Sequence, residues 1–492
     1  MKILKIEAGD FLKEIILKMK ILKQNKLNGL YGSWLLTPAF SPLSFVLCPL
    51  SFSLKTTLIF VIAFALNLNL SAQTPAPINQ KHTKILLQNG AAHIGNGEFI
   101  ATASIGIENG KILFVKNTLT MELVKSEWDT IIDLNGQHVY PGFIAPNVTT
   151  GLTEVDAVRA TRDFNETGIF NPNVRSLIAY NTDSKILYTI RTNGVLVTQT
   201  TPRGGTISGT SSVMALDGWN WEDAVYKADD GVHLNWPEKY NRWGWWAEPG
   251  GSNSNENYVR AKNEIWDFCS KAKAYVNEKY PEQMDLKLEA MRHLFNGDQR
   301  LYFHVDFAPE MNDVVDFVRF FEIKNPVIVG GYDAPMIADR LKENKFSIII
   351  NRPHSLPEFE DDFTYQYYEL PYKLQEAGLL FCIGTAGDME VMNTRNLPFL
   401  AGTARAYGMT EEQAVASVTL NAAKILGMDD KIGSLEAGKD ATFFVSQGDA
   451  LDMRTNNVTL AMIRGNFIDL SNHQKELYEK YCKKYGLVVD EY

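Results

Sequence analysis

The chain is predicted to be an α/β protein: a barrel of alternating strands and helices, joined to a β unit that is split between the two chain ends. Three observations lead there. From about Pro141 to Met428, short apolar strands such as GVLVTQT, LYFHVDF, PVIVGG, FSIIIN and LLFCIGT are each followed by a loop or helix, and alternation over that length implies a parallel barrel. From Lys84 to Tyr140, the runs KILLQNG, ASIGIENG, KILFVKN and TIIDLNG are separated by Asn-Gly pairs. Both residues of such a pair tolerate positive φ, which favours tight hairpins and an antiparallel sheet. After Met428 the β texture returns in KIGSLEAGKDATFFVS and LAMIRGNFIDL, and SNHQKELYEKYCKKYG closes the chain with the charge and spacing of a solvated helix. Neither β segment has enough strands to bury a core alone, so the two are expected to join.

Length and composition narrow the class. At 492 residues the chain exceeds what one hydrophobic core usually serves. With 45% hydrophobic, 11% aromatic and 22% charged residues it is neither a small disulfide scaffold nor a disordered chain. A net charge of -10 disfavours a nucleic-acid or anionic-membrane binder that works through its overall field.

The first 72 residues differ from the rest, with eight lysines, no arginine and only Glu7, Asp10 and Glu14 as acids. Lys55, the apolar run TLIFVIAFALNLNL at 57–70 and Ser71-Ala72-Gln73 follow in the order of a cleavable export signal. The run is shorter than the roughly 20 residues of a membrane span. Cleavage after Ala72 and an exported protein, periplasmic or extracellular and without a permanent membrane span, are therefore expected. The 54 residues before Lys55 are too many for a signal peptide, and a translation start downstream of Met1 is expected. Cys48 would leave with the leader; Cys269, Cys382 and Cys482 remain, an odd set with no CxxC spacing, which indicates neither a disulfide framework nor a cysteine-based zinc site.

Three stretches carry a family resemblance: VYPGFIAPNVTTG after the first β unit, NLPFLAGTARAYGMTEEQAVASVTLNAAKILGM near the barrel's end, and IGSLEAGKDATFFV at the return to β structure. In order and phrasing the chain resembles the amidohydrolase superfamily, its imidazolonepropionase-like branch in particular, from about residue 84 to 470 apart from a Trp-rich insertion near 217–262. The resemblance implies a (β/α)8 TIM-like barrel with its site at the C-terminal face, and a composite β-sandwich from both chain ends. Together with the leader and closing-helix readings, this divides the chain into a leader (1–72), the first part of the sandwich (73–140), the barrel (141–430), the second part (431–470) and a closing helix (471–492). Independently, Thr410 with Gln413 has the form of a capping box, and Gly427 stands where a helix would stop.

The resemblance also implies zinc or another divalent metal, held first by His-x-His at the end of barrel strand one. Residues i and i+2 share a face there, but those positions are Asn147 and Thr149, weak or poor zinc ligands. Ala386 follows Thr385 where an Asp is expected on strand eight, with Asp388 two residues on, and strand six reads Gly330-Gly331 in place of a further His. His304 matches the strand-five His. Tyr302, His304 and Asp306 alternate onto one face, so His304 and Asp306 are candidates for an imidazole-carboxylate base, the other reading being a buried histidine in a structural hydrogen bond.

Other candidates carry two readings each. Arg352 and His354, after a barrel strand, are either substrate contacts or a loop-stabilising arginine and an exposed histidine. Glu154 and Asp156 are either carboxylate ligands or the start of a helix DAVRATRDF. The Gly-rich loop TTPRGGTISGTSS lacks a P-loop ending, and the resemblance makes its Arg203 a substrate-contact candidate. Trp219, Trp221, Trp236, Trp243, Trp245 and Trp246 either stack a flat substrate or partner or form a small core of their own.

Two functional classes follow. One is an exported hydrolase of carbon-nitrogen bonds other than peptide bonds, taking a small amide-like substrate through His304, Asp306 and Asp388, with Asn147, Thr149, Arg203, Arg352 and His354 as substrate contacts. The other is a metal-free, catalytically inactive relative that binds a ligand or a paralogous amidohydrolase partner. No cofactor and no nucleic acid is assigned.

Overall fold

The computed structural model describes residues 83–489, apart from 123, 246–247, 279–280, 282, 360 and 388. The expected leader and its cleavage site, Trp246 and Asp388 lie outside the described residues.

The first strands are β1 (Lys84–His93), β2 (Phe99–Glu108), β3 (Lys111–Asn117), β4 (Thr130–Asp133) and β5 (His138–Pro141). Asn109 and Gly110, at φ +52 and +76, turn β2 into antiparallel β3, because a two-residue turn with both φ positive follows the strand twist. The pair Asn89-Gly90 does something else: it lies inside β1, at a register shift that marks a bulge. The bulge divides β1 into two halves, and β4 pairs with the first and β5 with the second, both parallel. The sheet is thus mixed where an antiparallel one was predicted.

The second sheet holds β6 (Phe143–Val148), β7 (Val195–Thr200), β8 (Ile207–Ala215) and β9 (Val225–Asn235). After a separate hairpin of β10 (Tyr240–Trp245) and β11 (Glu248–Ser254) come β12 (Arg300–Val305), β13 (Pro326–Gly330), β14 (Ser347–Ile350) and β15 (Phe381–Ile383). Eight strands in the order β6-β7-β8-β9-β12-β13-β14-β15 form a nearly closed, TIM-like barrel. The predicted all-parallel order fails at one strand: β8 runs antiparallel to both β7 and β9. The links 201–206 and 216–224 are shorter than the dozen or so residues a parallel crossover needs, so the chain reverses instead. Among the described residues no ladder joins β15 to β6, and Ile144 N–H donates to the Val418 carbonyl across the gap at 2.9 Å.

Part of the Trp-rich stretch belongs to the barrel, since β9 is one of its strands. Trp236 packs edge-on against Phe303 and Phe317 in the main core, whereas Trp219 and Trp243 are each 57% exposed. Thr410 and Gln413 form the expected capping box, with reciprocal hydrogen bonds of 2.9 and 3.2 Å, and Gly427 ends the helix Leu420–Leu426 at φ +63. The helix expected over DAVRATRDF is absent. Only a 3-10 turn, Arg159–Thr161, forms there, because the Thr161 hydroxyl and carbonyl draw the chain back onto Val155 and Glu154.

β16 (Phe443–Ser446), β17 (Val458–Ile463) and β18 (Asn466–Phe467) return to the first sheet, which reads β18-β17-β16-β5-β1-β2-β3 with β4 beside β1. The helix His473–Tyr485 follows. Alternation along β16 serves two cores. Phe443 and Val445 pack with Ile85, Leu87, Ile105 and Ile107 on one face, and Phe444 joins the barrel core on the other. There its ring stacks on Tyr140 at 5.4 Å and meets Phe143 edge-on at 4.8 Å. The barrel backbone makes room at Gly194 (φ +86), where an added Cβ would lie 2.4 Å from Phe444. Gly194→Ala is expected to cost about 3 kcal/mol in chemical denaturation, from backbone strain plus overpacking. Gly136→Ala, at φ +81 with open space around it, should cost only about 1 kcal/mol of strain. Equal losses in the two variants would show that the Phe444 contact is not limiting.

Candidate functional site

The C-terminal ends of the barrel strands enclose a pocket of about 480 Å³ whose lining includes Asn147, Thr149, Arg203, His304, Ala386 and Glu390. Asn147, next to last in β6, sits in a bulge with φ +51, a left-handed conformation that asparagine tolerates better than most residues. Its N–H donates to Gln199 Oε1 at 3.0 Å. Arg203, from the loop after β7, takes both its oxygens: Nη1 donates to Asn147 Oδ1 at 3.0 Å and Nη2 to the carbonyl at 2.8 Å. The same Nη2 reaches both carboxylate oxygens of Glu390, at 3.1 and 3.0 Å. Three segments far apart in the chain are thus tied by one planar guanidinium, the side chain suited to forked recognition.

Beneath the pocket a polar column descends through the barrel. His304 Nε2 and His233 Nδ1 are 3.0 Å apart, and His233 Nε2 lies 2.9 Å from Ser211 Oγ. Gln199 Nε2 donates to Ser211 Oγ and to Asp230 Oδ2, both at 3.1 Å. Tyr302 also donates to Asp230, and its ring stacks on His233 with centroids 4.4 Å apart. Lys227 at 2.7 Å and Arg300 at 3.6 Å supply the counter-charge to Asp230, which is fully buried. Burial and then the nearby Arg203 charge push His304 down to about 3, and burial with the His304 and Arg203 charges holds His233 well below its usual range. Both rings are neutral at pH 7, so each is a hydrogen-bonding group and a weak base.

The residues singled out in the sequence fall into three groups. Asn147, Thr149, Arg203 and His304 share the pocket with Asp156. Asp306 does not pair with His304, whose partner is His233; it faces an adjoining cavity against Gly330, where an added Cβ would lie 2.4 Å from Asp306 Oδ1. Burial, then the Glu358 charge, push Asp306 up to about 7, against the Tyr332 N–H and Arg242, so this carboxyl can both give and take a proton near neutral pH. Arg352 approaches the rim, 3.6 Å from where a Cβ on Gly387 would stand. His354 lies in a different cleft, 2.7 Å from Thr403 Oγ1, and Glu154 accepts from Asn181 and Ser184 at 3.0 and 2.9 Å, a loop-to-helix tie away from the pocket.

Sequence reasoning missed His233, Glu390, Gln199 and Asp230. The run Val232-His233-Leu234-Asn235 has strand alternation, but it lay inside the stretch read as an insertion, and Glu390 sits on a short helix beyond the strand-eight motif. The cysteines Cys269, Cys382 and Cys482 are free and buried, and no helix among the described residues is long and apolar enough to cross a membrane.

A strand barrel with a polar pocket at its C-terminal mouth, joined to a sheet built from both chain ends, defines a class of fold, and comparison with known proteins narrows it. Residues 285–468 match the family model described as Amidohydrolase family. The amidohydrolase tasK of Hapsidospora irregularis is 25% identical over 193 residues, 38% of this chain and 19% of that protein. Imidazolonepropionases of Erwinia tasmaniensis and Syntrophobacter fumaroxidans are 60% identical over 37 residues and 32% identical over 77, covering 8% and 15% of this chain and 9% and 18% of theirs. The chain thus matches less than a fifth of the length of these curated relatives. Among solved structures, an amidohydrolase of Thermotoga maritima superposes with a TM-score of 0.67 at 24% identity, over 78% of this chain and 99% of that one. A Xaa-Pro dipeptidase with bound methionine gives 0.50 at 17% identity, over 79% and 100%. Both establish likeness of fold. The sequence likeness is thus to the amidohydrolase family over residues 285–468, with short matches to imidazolonepropionases, and over most of the chain the likeness is one of fold.

His304 and Asp306 titrate in opposite senses. His304 is depressed when folded, so its contribution to stability is complete above the unfolded value of 6.5 and is lost as pH falls towards about 3. Asp306 is raised, so its contribution is complete below 3.8 and is lost as pH rises to about 7. In denaturation series, His304→Gln is expected to flatten the loss of stability on acidification, and Asp306→Asn to gain on the wild type as pH rises from 4 to 7. Parallel curves for all three proteins would contradict both assignments.

Proposed function

We propose that the chain is an exported amidohydrolase-family protein that binds a small amide-like molecule at the barrel mouth without a catalytic metal. The observation that carries this reading is the Arg203 guanidinium. It donates to Asn147, which stands at a metal-ligand position of the family, and it neutralises Glu390, the described carboxylate nearest the end of strand eight. A fixed cation with its donors turned onto those oxygens repels a divalent ion and occupies the acceptors that would hold it. Of the remaining positions, Thr149, Ala386 and Gly330 offer no strong donor, and His304, whose Nε2 is engaged by His233, brings a single ring nitrogen, too few donors to hold an ion. The donor set does not fit the family's metal, and no step is routed through one. Among the described residues, the group of side chains close enough to share an ion is His93, Glu411 and Glu412, none of which lines this pocket.

The pocket remains suited to a neutral polar group. Its volume is that of a small-molecule site, its arginines are matched by Asp156 and Glu390, and Asn351 and His304 offer hydrogen bonds to an amide. Export rests on the apolar run at 57–70 followed by Ser71-Ala72. The composite sandwich of the family is supported by the single apolar core that strands from both chain ends share. A second reading, hydrolysis of a carbon-nitrogen bond without metal, is favoured by one observation, the Asp306 carboxyl poised at about 7 beside His304.

Metal analysis of the purified protein is expected to give substoichiometric zinc, and chelator should leave ligand binding unchanged. Stoichiometric metal that is removed together with function, and restores it when added back, would overturn the metal-free reading. Arg203→Ala should abolish binding and lower stability by about 3 kcal/mol, since it leaves the part-buried Glu390 unpaired; calorimetry and denaturation read the two effects.

A further inference from the structure

Beside the mouth pocket lies a second cavity of about 230 Å³, and His304 and Asn351 line both. Glu238, Asp306 and Glu310 line this second cavity, and among its described lining residues there is no lysine or arginine. The cations nearby are engaged elsewhere. Arg242 pairs with Glu358 at 2.6 Å and stacks on Phe307 at 4.0 Å. Lys239 Nζ reaches Asp313 at 3.2 Å and the Pro309 carbonyl at 3.0 Å.

Glu310 is the member that points to a ligand. It is only 3% exposed; Oε1 accepts from Lys239 N–H at 2.8 Å, while Oε2 is buried with no hydrogen-bond partner. A buried carboxylate oxygen without a donor is costly, and a row of carboxylates without a cation more so. Burial first, then the Glu358 charge, raise Asp306, and Glu238 of this cavity adds to the shift. These carboxylates are not gathered within the span of one ion's coordination shell, unlike His93, Glu411 and Glu412. Their spread suits an organic ammonium, whose three N–H donors reach separate acceptors, and Trp236 contributes an aromatic wall that tolerates a cation.

We propose that this cavity is a subsite for a protonated amine, so that the ligand of the mouth pocket is a small amide carrying a primary ammonium group. The inference rests on the ligand-binding reading above. Alaninamide and propionamide test it, since they share the amide and differ in the amine, which is mostly protonated at pH 7. Titration calorimetry, or ligand-observed NMR at millimolar concentration, is expected to show alaninamide binding at least about tenfold tighter than propionamide. Glu310→Gln, which keeps the acceptor for Lys239 N–H, should erase that difference and leave propionamide binding unchanged. Glu238→Gln, at an exposed position that does not threaten folding, should reduce it. Equal binding of the two amides to the wild type, or a preference that survives Glu310→Gln, would overturn the ammonium subsite while leaving the amide pocket standing. Binding of neither would overturn the ligand-binding reading and the subsite with it.

Discussion

Arg203 holds together the part of the barrel that hydrogen-bonded strands do not. No ladder joins the first and last barrel strands among the described residues, and this guanidinium bridges them through Asn147 at the end of β6 and Glu390 just beyond β15. The contact with Glu390 is charge-assisted and part-buried, made by Nη2 alone, and the loss of one partner of such a pair is damaging because it leaves the other charge uncompensated. Arg203 also sets the electrostatics of the mouth, because its charge contributes to keeping His304 and His233 neutral.

The column below the mouth follows from the same constraint. A barrel interior is normally filled with branched apolar side chains, yet this one contains His304, His233, Ser211, Gln199, Asp230 and Tyr302 in continuous hydrogen-bonded contact. Such a chain is stable only if its members are satisfied, since a buried polar group without a partner is penalised by the low dielectric that strengthens the others. The lower end is closed by Lys227 and Arg300 on Asp230, and the upper end opens at the pocket. The column positions His304 and fixes the side of its ring that faces inward.

The reversed strand β8 explains why this column can form. Running antiparallel between β7 and β9, it brings Ser211 beside both Gln199 and His233. The adjoining cavity has an equally local origin. Gly330, at a position where the resemblance leads one to expect histidine, removes a side chain from against Asp306 and lets that carboxyl lie in the wall.

Much of the architecture was legible from residue patterns. Alternating apolar runs located the strands, Asn109-Gly110 a hairpin, and Thr410 with Gln413 a helix start, because each depends on neighbours a few residues away and on backbone conformations particular side chains allow. The sequence also singled out Asn147, Thr149 and His304, which the structure brings to one pocket. What the sequence did not disclose were the pairings: Arg203 with Glu390, 187 positions apart, His304 with His233 rather than Asp306, and Asn89-Gly90 as a bulge. Local patterns determined which segments became strands and helices and which side chains were available for chemistry. Only the tertiary structure decided which of them meet, because charge pairing and burial depend on distances set by the closure of the barrel, and those distances are not encoded within any one segment.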